Sequence, residues 1–290
     1  MFNATYFTYD GVFSGVFGLV LADFNTNAVV ETSAFSPTLN TTKPASINRF
    51  FHNGIRYEAP PQHQFSVVSE KEIQEPIRRE ILSWLVGRNE FKKLQIHQVD
   101  LEEYYYLCVF SNVDIIYVNG RCHGFRLTAN FDSPFAHGRE TSKTLAGNSG
   151  ISTMTINNKS DLLDEYVYPT IQFSATSVST GDTQATAWAE SQDSLATFNG
   201  NNKTPLSNYD ICIVNKTDDV NRRFIFAGLL PGEIITVNNE LRCISSSVSG
   251  EKLKHFNKNW LRLRRGYNEL EIEINGDVTI TCPHYAMIGF

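Results

Sequence analysis

Apolar and polar residues alternate with period two over much of this chain, and the clearest run lies near its end. Leu270, Ile272 and Ile274 alternate with Glu269, Glu271 and Glu273. Asn275-Gly276-Asp277 follows, and then Val278, Ile280 and Cys282 alternate with Thr279 and Thr281. Such alternation marks a strand with one buried and one wet face. Two runs flanking Asn-Gly predict a β-hairpin. A two-residue loop would set each apolar residue opposite a polar one. A three-residue loop over 275–277 pairs Ile274 with Val278, Ile272 with Ile280 and Leu270 with Cys282. Burying these side chains, at ~1.5–3 kcal/mol each, outweighs turn preference, so the second register is expected.

In the first half the same period predicts strands over 104–110, 113–118 and 125–131. In the last of these, Phe125, Leu127, Ala129 and Phe131 alternate with Arg126, Thr128 and Asn130, up to Asp132-Ser133-Pro134. One segment has helical period instead: Ile77, Ile81, Leu82 and Leu85 form a stripe that Gly87 stops. Ser69 and Glu72 have capping-box spacing, while Pro76 fits a first-turn position that would move the start to about there. Trp84 is expected at the edge of the stripe. Residues 25–44, poor in charge and rich in Asn, Thr and Ser, form either a loop or a long exposed hairpin. The first half thus reads as an antiparallel α+β module with one helix.

From 138 to 160 the composition turns to Gly, Ser, Thr, Asn and Lys, as at a module boundary, with 151–156 as a first strand beyond it. Strands follow from Tyr168-Pro169 onward and at 211–214, 223–227, 234–237, 241–245 and 259–263. No helical period interrupts them, which predicts an all-β sandwich. Residues 174–208 break the pattern: polar, low in large aliphatics, they read as an insertion or long surface loop. The expected organisation is therefore mainly β, with modules at 1–140 and 141–290 and a polar insertion near 174–208.

Composition changes this picture little. The chain has 290 residues, 41% hydrophobic and 19% charged, as an ordinary globular protein does. Its 20 Phe and 12 Tyr against 3 Met favour β structure. A net charge of −6 with no basic stripe argues against nucleic-acid binding. The apolar stretch 15–21 is too short to insert into a membrane and lacks the basic flank of a signal peptide. Cys108, Cys122, Cys212, Cys243 and Cys282 are scattered through apolar segments, which predicts buried free thiols in a chain made in a reducing cytoplasm.

Reactive constellations are scarce. There is no G-x-S-x-G, Walker-type loop, G-x-G-x-x-G or H-E-x-x-H, so no catalytic residue, cofactor or metal is expected. Glu102-Glu103 and Asp218-Asp219 have the form of carboxylate pairs, but such pairs on strands and loops are mostly solvated surface. Glu269, Glu271 and Glu273 read as the wet face of a strand. Asp161, Asp164 and Glu165 lack the spacing of a calcium loop. Trp188 stands alone among Thr, Ala, Ser, Gln and Glu, and is the candidate partner-binding residue.

The order of several segments resembles the distal tail (Dit) proteins of long-tailed, non-contractile bacteriophages. In the N-terminal part these are Tyr9-Asp10-Gly11, the helix from Arg78 to Leu85, Tyr104-Tyr105-Tyr106, and Gly124-Phe125 through Asp132-Ser133-Pro134-Phe135-Ala136. In the C-terminal part they are Tyr168-Pro169, Gly232 to Val237, Trp260-Leu261 and Gly266-Tyr267-Asn268. The resemblance implies a ring-forming module (a β-sandwich with one helix and an extended β-hairpin) followed by a galectin-like β-sandwich. It also implies a homohexameric ring at the tip of the virion's tail, joining the tail tube protein to the hub and carrying receptor-binding proteins. The rival reading is a carbohydrate-binding module of the adsorption apparatus. For it the chain offers His255, Asn257, Asn259 and Trp260, with Asn259 where an Arg would be expected and Trp260 expected in the core.

Overall fold

The computed structural model describes residues 6–22, 38–45, 47–56, 62–175, 211–230 and 232–288. It divides into two units: Met1–Gly138 with Ala286–Phe290, and Arg139–Tyr285. Strands dominate both, and among the described residues the α-helix Glu75–Val86 is the only one. The mainly-β expectation holds.

The first unit is built on a seven-stranded sheet in the order Val12–Phe13, Phe7–Tyr9, Lys92–Ile96, Tyr106–Val118, Arg121–Phe131, Gln62–Ser69 and Leu19–Ala22. The alternation at 125–131 does what it predicts: Phe125, Leu127, Ala129 and Phe131 are all buried. Tyr106–Val118 is one strand with an irregularity between Ser111 and Asp114, where Asn112 takes a φ of 50°. It turns back through Asn119-Gly120, whose φ values of 50° and 77° are those of a tight two-residue hairpin.

The helix begins at Glu75, with Pro76 in its first turn and no side-chain cap on Gln74. The capping box does not form; the Ser69 hydroxyl instead accepts a hydrogen bond from the Lys71 N–H at 3.2 Å. The core face is Ile81, Trp84 and Leu85, while Ile77 is exposed. Trp84 is therefore central to the stripe. It stacks on Phe7 and Phe17 at 5.8 and 5.3 Å, and its indole N–H donates to the Tyr9 carbonyl at 2.9 Å. That bond satisfies the one polar atom of a large buried ring.

Thr38–Thr42 pairs with Phe51–Arg56 in a separate two-stranded hairpin. It overlaps the end of the 25–44 segment; the remainder of that segment lies mostly outside the described residues.

In the second unit the expected closing hairpin is not formed. Gly266–Cys282 is a single strand of 17 residues. It pairs along its length with Thr141–Asn158; its other edge is shared by Ile211–Asn215 and Thr170–Ala175. The sheet continues from these to Arg223–Phe226 on one side, and through Ile234–Asn238 to Cys243–Ser246 on the other. Burial alternates without a break through Leu270, Ile272, Ile274, Gly276, Val278, Ile280 and Cys282. The even spacing from Ile274 to Val278 that favoured a three-residue loop fits an uninterrupted strand equally well.

Asn275 and Asp277 serve the partner strand instead of a turn. Thr141–Asn158 carries a bulge between Leu145 and Asn148. Asp277 Oδ1 accepts from the Gly147 N–H at 2.6 Å, and Asn275 Oδ1 accepts from the Gly150 N–H at 3.1 Å. The Gly147 N–H, which the bulge takes out of the ladder, is thus satisfied by a side chain. Two more expectations change here. The strand expected at 151–156 is part of this much longer one, and 259–263 forms no strand beyond the isolated Val167–Leu263 bridge.

Candidate interaction surfaces

The carboxylates that most resemble chemistry in the sequence serve structure. The Asp218 side chain is 3% exposed. It accepts hydrogen bonds from Arg262 Nε at 2.7 Å, Arg264 Nε at 3.0 Å and the Tyr166 hydroxyl at 2.9 Å. The Arg262 guanidinium also lies 4.0 Å above the Tyr166 ring. Burial opposes the charge on Asp218, but the hydrogen bonds from Arg262 and Tyr166 hold its carboxyl below the usual range. Asp219 turns away and accepts from the Asn221 N–H. Glu102 and Glu103 are exposed. The Glu row lies on the outer face of Gly266–Cys282, with Glu271 paired to Lys216 at 3.0 Å. Asp161 faces Arg265 at 3.8 Å, and no group of three or more His, Cys, Asp or Glu suited to a metal occurs among the described residues.

The sugar-site candidates are also engaged. Asn257 donates to the Arg223 carbonyl at 2.8 Å and accepts from the Ile225 N–H at 3.2 Å. Trp260, expected in the core, is partly buried and packs edge-on against the buried Phe256 at 4.8 Å, at the margin of the core. The cavity beside it, lined by Arg222, Asn259, Trp260 and Arg262, measures about 10 Å³, room for one water and not for a sugar ring. Trp188 lies outside the described residues. Of the cysteines, Cys108, Cys122, Cys212 and Cys282 are buried as expected, but Cys243 is exposed at the start of the sheet's last strand.

What remains are surfaces where large apolar side chains meet solvent. Leu39, Ile47, Phe50 and Phe51 are exposed on the Thr38–Arg56 hairpin. Its register sets Leu39 and Phe51 on opposite faces, so neither face covers a core. An isolated two-stranded hairpin is marginal in water at best. A second patch joins Ile77 at the helix start to Tyr117 and Val118 at a hairpin tip, held together by the Arg78–Tyr117 hydrogen bond at 3.3 Å. A third is an open groove of about 460 Å³ lined by Val12, Val16, Phe17 and Trp84, with Glu80 and Arg88 among its polar residues. The sequence offered an exposed hairpin overlapping the first of these but none of the apolar patches, because exposure of an apolar residue leaves no mark on its spacing.

Two family models match the chain: a phage tail protein N-terminal domain over residues 2–133 and a phage tail C-terminal domain over residues 180–282. The chain belongs to this family of phage tail proteins. The C-terminal match begins inside the segment read as an insertion and takes in Trp188. No curated protein sequence matches this tail protein. Among solved structures it is similar to the Dit protein of phage SPP1, described as a paradigm of the hub adsorption apparatus in phages infecting Gram-positive hosts. The TM-score is 0.61 at 12% identity, over 97% of this chain and 98% of that one. The tail protein therefore has the Dit fold. A chain of the activated, Ca-bound phage P2 baseplate is also similar, at TM-score 0.48 and 8% identity, over 93% of this chain and 92% of that one.

Proposed function

We propose that this tail protein forms a homohexameric ring at the distal end of a long, non-contractile phage tail. The ring joins the tail tube protein to the tail-associated hub protein and carries receptor-binding or other adsorption proteins. The observation that carries this reading is the fold shared with SPP1 Dit over 97% of the chain. The exposed Thr38–Arg56 hairpin supports it, since apolar side chains on both faces favour burial against a neighbour. On this reading the protein is a virion component made in the host cytoplasm, and it acts by shape and assembly, not catalysis.

The division of labour follows from the same reading. Residues 1–140 build the ring, and 141–290 form the galectin-like module that faces the adsorption proteins, with the segment near 174–208 and Trp188 as the docking element. The solution mass of the purified chain tests the ring: six copies support it, and a strict monomer at high concentration would count decisively against it. Deleting 176–208 tests the docking element. Adsorption proteins that still assemble on the shortened chain would remove that role while leaving the ring standing.

A further inference from the structure

The Thr141–Asn158 strand is 18 residues long and has Gly266–Cys282 as its partner; among the described residues no other strand pairs with it. Among the described residues its far edge is therefore an open row of backbone donors and acceptors. Natural sheets guard such edges with Pro, charged residues or bulges placed on the edge strand itself. Here Lys143 and the bulge after Leu145 guard the first half only. Residues 151–157 contain no Pro, no charge and no bulge, and Ile151, Thr153 and Thr155 are exposed.

The neighbouring strand defines what this edge fits. Glu273, Glu271 and Glu269 are the cross-strand partners of Ile151, Thr153 and Thr155, so they line the same face one strand further in. Lys216 pairs with Glu271; Glu269 and Glu273 make no ion pair among the described residues. They recur at every second residue, the period of side chains on one face of any added strand. An added strand would lie about 10 Å from the Glu row, two strand spacings away. Extended Lys or Arg side chains on its outer face reach across that gap toward the carboxylates.

We propose that the 151–157 edge accepts an added β-strand from a partner protein, an extended segment with Lys or Arg at alternate positions. The backbone ladder supplies affinity and the Glu row selects the charge. A second copy of the same edge is the poorer occupant, since its own outward residues are Ile and Thr and offer the carboxylates nothing. The inference is argued from the edge of a single chain and does not rest on the ring.

The test uses the full chain and a synthetic peptide, Ac-TKVKIKVKT-NH2, with a control in which every Lys is Glu. Hydrogen exchange should find alternate amides in 151–157 unprotected in the chain alone. The Lys peptide should protect them, and the Glu peptide should not. The Glu269→Lys/Glu273→Lys variant should weaken peptide affinity at least about tenfold. The Thr153→Lys/Thr155→Lys variant, with charges on the exposed edge, should abolish protection while leaving circular dichroism and melting unchanged. Amides already protected in the chain alone would overturn the proposal in favour of cover by the chain itself. Protection that rises with protein concentration would overturn it in favour of a second copy, and peptide binding that survives the Thr variant would overturn it by showing that the 151–157 edge is not where the peptide is held.

Discussion

Two buried carboxylates in the second unit hold loops in place and respond to pH in the same direction. The Glu233 side chain is fully buried and meets Lys252 Nζ at 2.6 Å. Its other oxygen accepts from the Leu230 N–H at 3.0 Å. Burial opposes the charge, but the hydrogen bonds from Lys252 and Ser246 keep its carboxyl below the ordinary value of 4.5. Removing one member of such a pair leaves an uncompensated charge, so Lys252→Ala is expected to cost about 3–5 kcal/mol at pH 7, read by urea unfolding. A carboxyl whose folded value lies below its unfolded value adds stability that is complete above the unfolded value. That stability is lost as pH falls through the folded value. The stabilisation from Glu233 and Asp218 is thus fully present at pH 7 and fades once the pH drops below their ordinary values of 4.5 and 3.8. The stability gap between the natural chain and an Asp218→Asn/Glu233→Gln variant should be widest near neutrality and close toward pH 3. A gap that widens in acid would contradict the assignment.

The thiols divide on the same physical ground. Burial pushes Cys212 up to about 11 and Cys282 up to about 12, and raises Cys108 as well. Cys243 is exposed. A thiol reagent at pH 8 should therefore titrate one cysteine in the native protein and all five in guanidinium.

At the scale of elements, two Asn-Gly pairs behave oppositely. Asn119-Gly120 turns the chain back, while Asn275-Gly276 runs straight through a sheet. The difference lies in what faces each pair. Asn275 and its neighbour Asp277 meet Gly150 and Gly147 N–H groups on a bulged partner, which a strand distant in sequence supplies. Engineered disulfides distinguish strand from hairpin. Thr144→Cys/Thr279→Cys joins cross-strand partners whose hydroxyls are 2.8 Å apart, and should oxidise readily. Ile272→Cys/Ile280→Cys pairs residues eight apart on one strand, about 26 Å, and should not close within a chain.

Gly124 shows a second constraint of this kind. A Cβ there would stand 2.2 Å from the Val67 carbonyl oxygen, closer than any side chain can lie to backbone. Gly124→Ala must push the Gln62–Ser69 strand away. It should destabilise the first unit by about 2 kcal/mol or more, measured as a lower melting temperature.

For the whole molecule, the exposed hairpin is the feature whose removal speaks most directly to assembly. Replacing residues 38–56 with a short Gly-Ser link deletes no residue of the first unit's buried core. The variant should keep its near-native melting temperature and lose the hexameric mass expected of the natural chain. A hexamer that persists would move the contacts to the Ile77–Tyr117–Val118 patch or to the groove over Trp84.

Strand and helix type were legible because each reflects spacing along one segment, as at 125–131 and around Ile81 and Leu85. The helix start was legible too, in Pro76, which the structure places in the first turn, whereas the capping box suggested by the Ser69–Glu72 spacing does not form. No catalytic site was read from the sequence, and the carboxylates that resembled one are held in ion pairs or lie on a wet face. Those roles depend on Arg262, Arg264 and Lys216, which only folding brings near.

The stretch from Leu270 to Cys282 marks the division between what sequence and structure each decide. Period-two alternation by itself determined that its even-numbered residues are buried and that the Glu row is wet, because pleating sends successive side chains to opposite faces. Whether the chain folds back at Asn275-Gly276 or runs on was decided by tertiary structure alone. Both arrangements bury the same residues, and the partner strand at 141–158 satisfies the polar groups that a turn would otherwise have used.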